Sequence, residues 1–352
     1  MNARLSLLTL SVLSANPNIA SAGEPIAAPI SVAPTQSRWR FGASYAPLIG
    51  LKAEFGGLGN FNSPFSPQPK GGGADYDYDN GFVHLDSSGN LGGKTWNWGY
   101  DESSQYNPAN GGSIDFSITN SISNGRADED NQTASGVELF TYYDMGPAGF
   151  AGASWGFRGG LHYARINIDN SDSIFSDLTT TTDRFRLEGV VPPPAPYSGT
   201  FNGPGPLLGD SPIRTVTVGG KALVVGSREL DVHLTTLNFG SYLEIPLAPR
   251  FDLMLEAGVS AAVASGSYDF DSASTAPGLG TQATSGSDSG TSVLPGVYLG
   301  AGVTYQINDA WSIQAAGRYQ YMDELEFRAN GSSASLSFDS AFVLSIGALY
   351  SF

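Results

Sequence analysis

Eight segments of this chain alternate apolar and polar residues, and the connections between them alternate strictly between short and long. The segments are 38–55, 135–144, 153–168, 231–245, 251–267, 292–306, 311–322 and 336–352. M-G-P-A-G, P-L-A-P-R and I-N-D-A make three short links. The other four links, about 56–130, 169–230, 268–290 and 323–335, are long. A period of two is the signature of a strand with two different environments. Short turns on one side and long loops on the other are what an up-and-down barrel crossing a bilayer produces. The expectation is an all-β fold: a transmembrane antiparallel up-and-down barrel of eight strands, with long β-rich loops on one side. The even count puts both ends of the barrel on the short-turn side.

Residue content agrees. No run of about 20 apolar residues follows the first segment of the chain, so membrane-crossing helices are not expected. Forty-five Gly and 21 Pro favour turns and strands. Residues 1–22 read as a signal peptide, with Arg4, the apolar stretch Leu5–Leu13 and the small-x-small site Ala20–Ala22. Residues 23–37 read as an extended Pro- and Ala-rich leader on the short-turn side, and 38–352 as the barrel. With no cysteine, an exported chain has no disulfide scaffold and no thiolate metal site. A net charge of −16 argues against nucleic acid as a partner.

Within the strands one parity is apolar. In 251–260, Phe251, Leu253, Leu255, Ala257 and Val259 oppose Asp252, Glu256 and Ser260. In 311–321, Trp311, Ile313, Ala315, Tyr319 and Tyr321 oppose Ser312, Gln314, Arg318 and Gln320. Aromatic residues collect at strand ends, as at the two interfaces of a membrane. A soluble β-sandwich would also alternate, but would not need alternating link lengths.

The last strand ends L-S-I-G-A-L-Y-S-F. With this strand, the signal peptide and the eight-strand pattern, the chain resembles the eight-stranded bacterial outer-membrane barrels of the OmpA/OmpX/OmpW type. The resemblance implies location in the cell outer membrane, among its lipids and lipopolysaccharide. It implies that the barrel assembly machinery reads Leu344, Ile346, Ala348, Tyr350 and Phe352. No peptidoglycan-binding domain of the OmpA kind is expected after the barrel.

If the apolar parity faces lipid, the other lines the lumen. It carries Arg40, Ser44, Glu138, Arg158, His162, Asn238, Glu256, Gln314 and Arg318. Eight strands leave room only for side chains, so buried charges there must pair. A polar plug is the expectation, and a narrow pore lined by the same charges the alternative. Catalysis is not expected. The chain has His84, His162 and His233 only, and just His233–Leu234–Thr235 sets a hydroxyl on the same face as a histidine. A lipid-modifying enzyme is the second alternative.

No other cofactor is suggested, but one loop stretch bears on Ca2+. In A-D-Y-D-Y-D-N-G-F-V-H-L-D, Asp75, Asp77, Asp79 and Asp86 fall at positions 1, 3, 5 and 12 of a calcium-loop template. Asn80 stands where the template wants Gly, and position 12 is Asp rather than Glu. The alternative is a hairpin turning at Asn80–Gly81. Residues 56–130 carry ten acidic and three basic residues, and T-W-N-W-G-Y from Thr95 to Tyr100. A long loop with its own strand patterns reads as a folded cap. Its Trp96, Trp98 and Tyr100 either bind a partner or pack the cap. R-T-V-T-V-G-G-K-A-L-V-V, Arg214–Val225, reads as a hairpin turning at Gly219–Gly220. The functional expectation is an outer-membrane barrel with a structural or surface-interaction role.

Overall fold

The computed structural model describes residues 38–65, 75–122 and 125–351. The signal peptide (1–22), the leader (23–37) and Phe352 lie outside the described residues. Eight antiparallel strands close a ring: β1 (Trp39–Tyr45), β2 (Gly125–Pro147), β3 (Ser154–Asn170), β4 (Ile213–Ala248), β5 (Phe251–Ala276), β6 (Gly280–Gln306), β7 (Trp311–Met322) and β8 (Phe342–Ser351). Each pairs with the next, and β8 pairs with β1 (Arg40 opposite Ser351, Tyr45 opposite Ile346). The short turns follow local chemistry. Asn308 Oδ1, for example, accepts from the backbone N–H of Ala310 and Trp311, folding I-N-D-A into a tight reversal.

The strands swap polarity part-way up without changing parity. On β5 the outward residues are Phe251, Leu253, Leu255, Ala257, Val259, Ala261 and Val263, and then Ser265, Ser267, Asp269 and Asp271. The inward residues run the opposite way: Asp252, Glu256 and Ser260 first, then Ala262, Ala264, Tyr268 and Phe270. On β3, outward Trp155, Phe157, Leu161 and Tyr163 give way to Arg165, Asn167 and Asp169, while inward Arg158 and His162 give way to Ala164, Ile166 and Ile168. The solvent outside changes from hydrocarbon to water at this level, and the interior changes in the opposite sense. From Phe251 to Val263 the apolar band spans about 30 Å, at ~3.3 Å per residue and the ~40° tilt of small barrels. Trp39, Trp155, Phe251, Tyr305 and Trp311 mark its lower rim, and Tyr45, Tyr163, Tyr319 and Tyr321 its upper rim, all at least partly exposed.

Above the band the wall continues. After Pro47 breaks the first strand, Leu48–Leu58 takes over between β2 and a hairpin of Leu325–Ala329 and Ser332–Ser337. The upper interior is a core of the kind found in water-soluble proteins, containing Leu51, Phe55, Ile166, Val232, Tyr268, Phe327, Leu336 and Phe338, all buried. The ladder is open between Leu325–Ala329 and β6, where Arg328 N donates to Asp288 Oδ2 at 2.9 Å and Asn330 Nδ2 to Ser285 O at 3.0 Å.

The segment read as a loop over 268–290 is therefore strand on both sides of a turn at 277–279. The hairpin expected at Gly219–Gly220 is not formed. β4 runs unbroken from Ile213 to Ala248, and the two glycines are a bulge where its register against Ile174–Arg186 shifts. Gly220 has φ +81°, which only glycine adopts without strain, so the diglycine signal was real but bent the strand rather than reversing it.

Over the barrel sits a crown. Ser113–Ser121, Ile174–Arg186 and the top of β4 form one sheet. Tyr197–Ser198, Trp98–Tyr100, Gly81–Val83 and Tyr76–Tyr78 form a second. Val83, Trp98, Tyr100, Ile114, Phe116 and Phe185 pack between them.

Candidate functional site

The predicted lumen residues all point inward, and four of them form one ion cluster. Glu138, Arg158, Glu256 and Arg318 come from β2, β3, β5 and β7 and are almost wholly buried. Arg158 Nη2 lies 2.9 Å from Glu138 Oε2, and its Nε 3.0 Å from Glu256 Oε2. Arg318 Nη1 lies 3.0 Å from Glu138 Oε1 and 3.8 Å from Glu256 Oε1. Two cations and two carboxylates thus cancel across the barrel axis. Buried charges need this, since an unpaired one costs several kcal/mol. The rings of Phe140, Tyr142 and Tyr298 lie against the guanidinium groups, at 5.2 to 5.8 Å.

The other predicted lumen residues surround the cluster. Gln314 Nε2 donates to Tyr142 OH at 3.0 Å. His162 Nε2 donates to the Ala46 carbonyl at 2.8 Å. Asn238, with Thr236 and Ser260, forms a polar layer without protein partners, the setting in which proteins hold ordered water. Arg40 does not join the cluster. It pairs bidentately with Glu244 at 2.9 and 2.7 Å near the short-turn mouth, under Tyr142 and Tyr242. Glu244 was missed in the sequence, although it shares the inward parity of Tyr242 and Asn238. Missed too was the upper apolar core, whose signal was the polarity swap along β3 and β5.

Other singled-out residues lie apart. Leu344, Ile346 and Ala348 point outward from β8, and Tyr350 meets Trp311 edge-on at 5.0 Å. The four loop aspartates are not brought to one point. Asp75 accepts from Leu85 N, Asp77 binds His84 at 2.8 Å, Asp79 accepts from Thr119 N, and Asp86 accepts from the backbone of Ser88, Asn90 and Trp96. The hairpin turns at Asp79–Asn80. Trp98 and Tyr100 are buried in the crown, and Trp96 is half-buried with its Nε1 on the Phe201 carbonyl. His233 meets Tyr163 OH at 2.7 Å on the outer surface.

Asp86 anchors the crown. Burial alone would raise its pKa, but the Ser88 hydroxyl and the backbone N–H groups of Trp96, Ser88 and Asn90 hold it below the ordinary carboxylate range. A carboxylate depressed on folding stabilises above its unfolded value near 4 and loses that contribution as pH falls through the lower folded value. Asp86→Ala strands several buried N–H donors, and a cost of about 2–3 kcal/mol is expected. Limited proteolysis should show faster cleavage within 87–100 in this variant at pH 7. Unaltered cleavage would remove Asp86 as the anchor.

A closed ring of eight strands, an outward apolar band with aromatic rims and a polar interior define a bacterial outer-membrane β-barrel. Residues 219–352 match the family model described as the OmpA-like transmembrane domain. Among solved structures, the chain is similar to Ail, the attachment invasion locus protein of Yersinia pestis, with 9% identity over 88% of this chain and 99% of that one, and TM-score 0.23. It is also similar to the outer membrane protease OmpT of Escherichia coli, with 8% identity over 92% of this chain and 99% of that one, and TM-score 0.27. Scores this low carry no argument about activity. No curated protein matches the chain.

Proposed function

We propose that this barrel is a closed, non-conducting pedestal that holds a folded crown above the outer membrane for structural or surface-interaction work. One observation carries the reading: the interior is filled at two successive levels. The ion cluster of Glu138, Arg158, Glu256 and Arg318 occupies the membrane level, and the apolar core around Phe55, Tyr268 and Phe338 occupies the level above. A narrow pore would need a continuous polar path, and the upper core is where such a path ends. Chain length supports the same role. Strands of 26 and 27 residues, β5 and β6, rise far beyond the ~9–11 that a crossing needs.

Planar-bilayer recording of the refolded protein tests this, with the gel shift between boiled and unboiled samples as the folding control. Folded protein that stays silent at all voltages is expected. Discrete, reproducible steps would overturn the pedestal reading in favour of a small-solute pore.

A further inference from the structure

Among the described residues, the top of β4 leaves a long sheet edge open. At its top, from Ile213 to Lys221, β4 pairs with Ile174–Arg186 on one side only, because its pairing with β5 begins at Leu223. All nine residues of this stretch are exposed, Val216 and Val218 at 58% and 69%. Natural proteins blunt such edges with Lys, Pro or a bulge. Here the bulge and Lys221 stand at the lower end and Pro212 stands just above Ile213, while I-R-T-V-T-V-G between them carries none of these guards.

We infer that the edge strand Ile213–Gly219 pairs antiparallel with the same strand of a second copy of this chain in a facing membrane. The pairing deepens the surface-interaction reading above and rests on it. Three observations select this occupant. The first is self-complementarity. Centred on Val216, the antiparallel register sets Val216 opposite Val216, Thr215 opposite Thr217, and Arg214 opposite Val218. That gives β-branched and Thr–Thr cross-strand pairs with no like charges directly opposed.

The second is local neutrality. Asp115 binds Arg184, Asp183 binds Arg214 and Asp177 binds Lys221, at 2.6 to 2.8 Å, so the sheet behind the edge cancels its own charge.

The third is direction. β4 runs from the crown down to the short turns in every copy. Copies sharing one membrane present this edge pointing the same way, so the antiparallel pair forms between copies in facing membranes. One such pair buries little area and is weak alone. Many copies across two apposed surfaces act multivalently.

The chain has no cysteine, so single cysteines report the register directly. Full-length protein is reconstituted in two vesicle populations, one of them carrying a size tag, then mixed and mildly oxidised. Val216→Cys should give a disulfide dimer of mixed size. Ile213→Cys, also exposed but facing Gly219 in this register, should give less than about a tenth of that yield, since a bridge needs Cα atoms within ~7 Å. Thr215→Cys vesicles should link to Thr217→Cys vesicles and not to their own kind. Val216→Lys with Thr217→Lys should abolish clustering of wild-type vesicles in light scattering while leaving the gel shift unchanged.

Equal yields at 213 and 216, dimers of one size only, or no dimer from any cysteine pair would overturn the inference. Vesicles that fail to pair around protein that is silent in planar bilayers retire the edge pairing and leave the pedestal standing. Conducting protein retires the pedestal whatever the vesicles do.

Discussion

Glu138→Ala is expected to destabilise the folded barrel by about 3–5 kcal/mol, the usual cost of removing one partner from a buried ion pair. Glu138 serves both arginines, at 2.9 Å to Arg158 and 3.0 Å to Arg318. Its loss leaves two buried cations with Glu256 alone, which already stands 3.8 Å from Arg318. The urea concentration that converts the fast-migrating folded band to the unfolded one should fall accordingly. Adding Arg318→Met to Glu138→Ala should restore at least ~1 kcal/mol, because the second change removes the stranded charge and keeps apolar volume. If Glu138→Ala alone moved the midpoint by less than the equivalent of ~0.5 kcal/mol, the cluster would not be what holds the membrane level shut.

The second large effect is expected in the upper core. Phe55→Ala removes a fully buried ring that tilts against Tyr268 at 5.9 Å. Deleting such a ring costs about 3–5 kcal/mol, through lost transfer energy and the cavity left behind. Because Leu48–Leu58 is held between β2 and the 332–337 strand, protease sensitivity should rise in the upper wall first. The two filled levels lie in series, which makes a sharper test. Arg318→Ala and Phe55→Ala should each remain silent in a planar bilayer, and the double variant should conduct. A single variant that conducts would mean that one level alone seals the barrel.

Much of this was legible in residue order because a strand alternates with a period of two. Placing Arg158 and His162 on one face of β3 needed only their spacing, and all nine predicted lumen side chains lie on the inward parity. The alternation of short and long links set the up-and-down order, since consecutive strands of such a barrel must return on opposite sides of the membrane. The crown's aromatics were legible only as a choice between two uses. Packing of Trp98 against Tyr197 at 4.8 Å joins segments about a hundred residues apart, and no local pattern announces that contact.

Two outcomes that local pattern left open have the same physical origin. Gly219–Gly220 permits either a reversal or a bulge, and the neighbouring strand Ile174–Arg186, supplying the ladder, selected the bulge. Likewise Arg40 shares its parity with the ion cluster but stands too low on β1 to reach it. Its partner is Glu244, 204 positions away in the chain.

By itself, then, the sequence determined parity, strand order and the membrane band, because these depend on each residue's affinity for water or hydrocarbon. Only the tertiary structure decided which inward charges meet, where the interior turns apolar and which strand edge stays open. Those depend on register and height around a closed ring, and such distances exist only after the ring has closed.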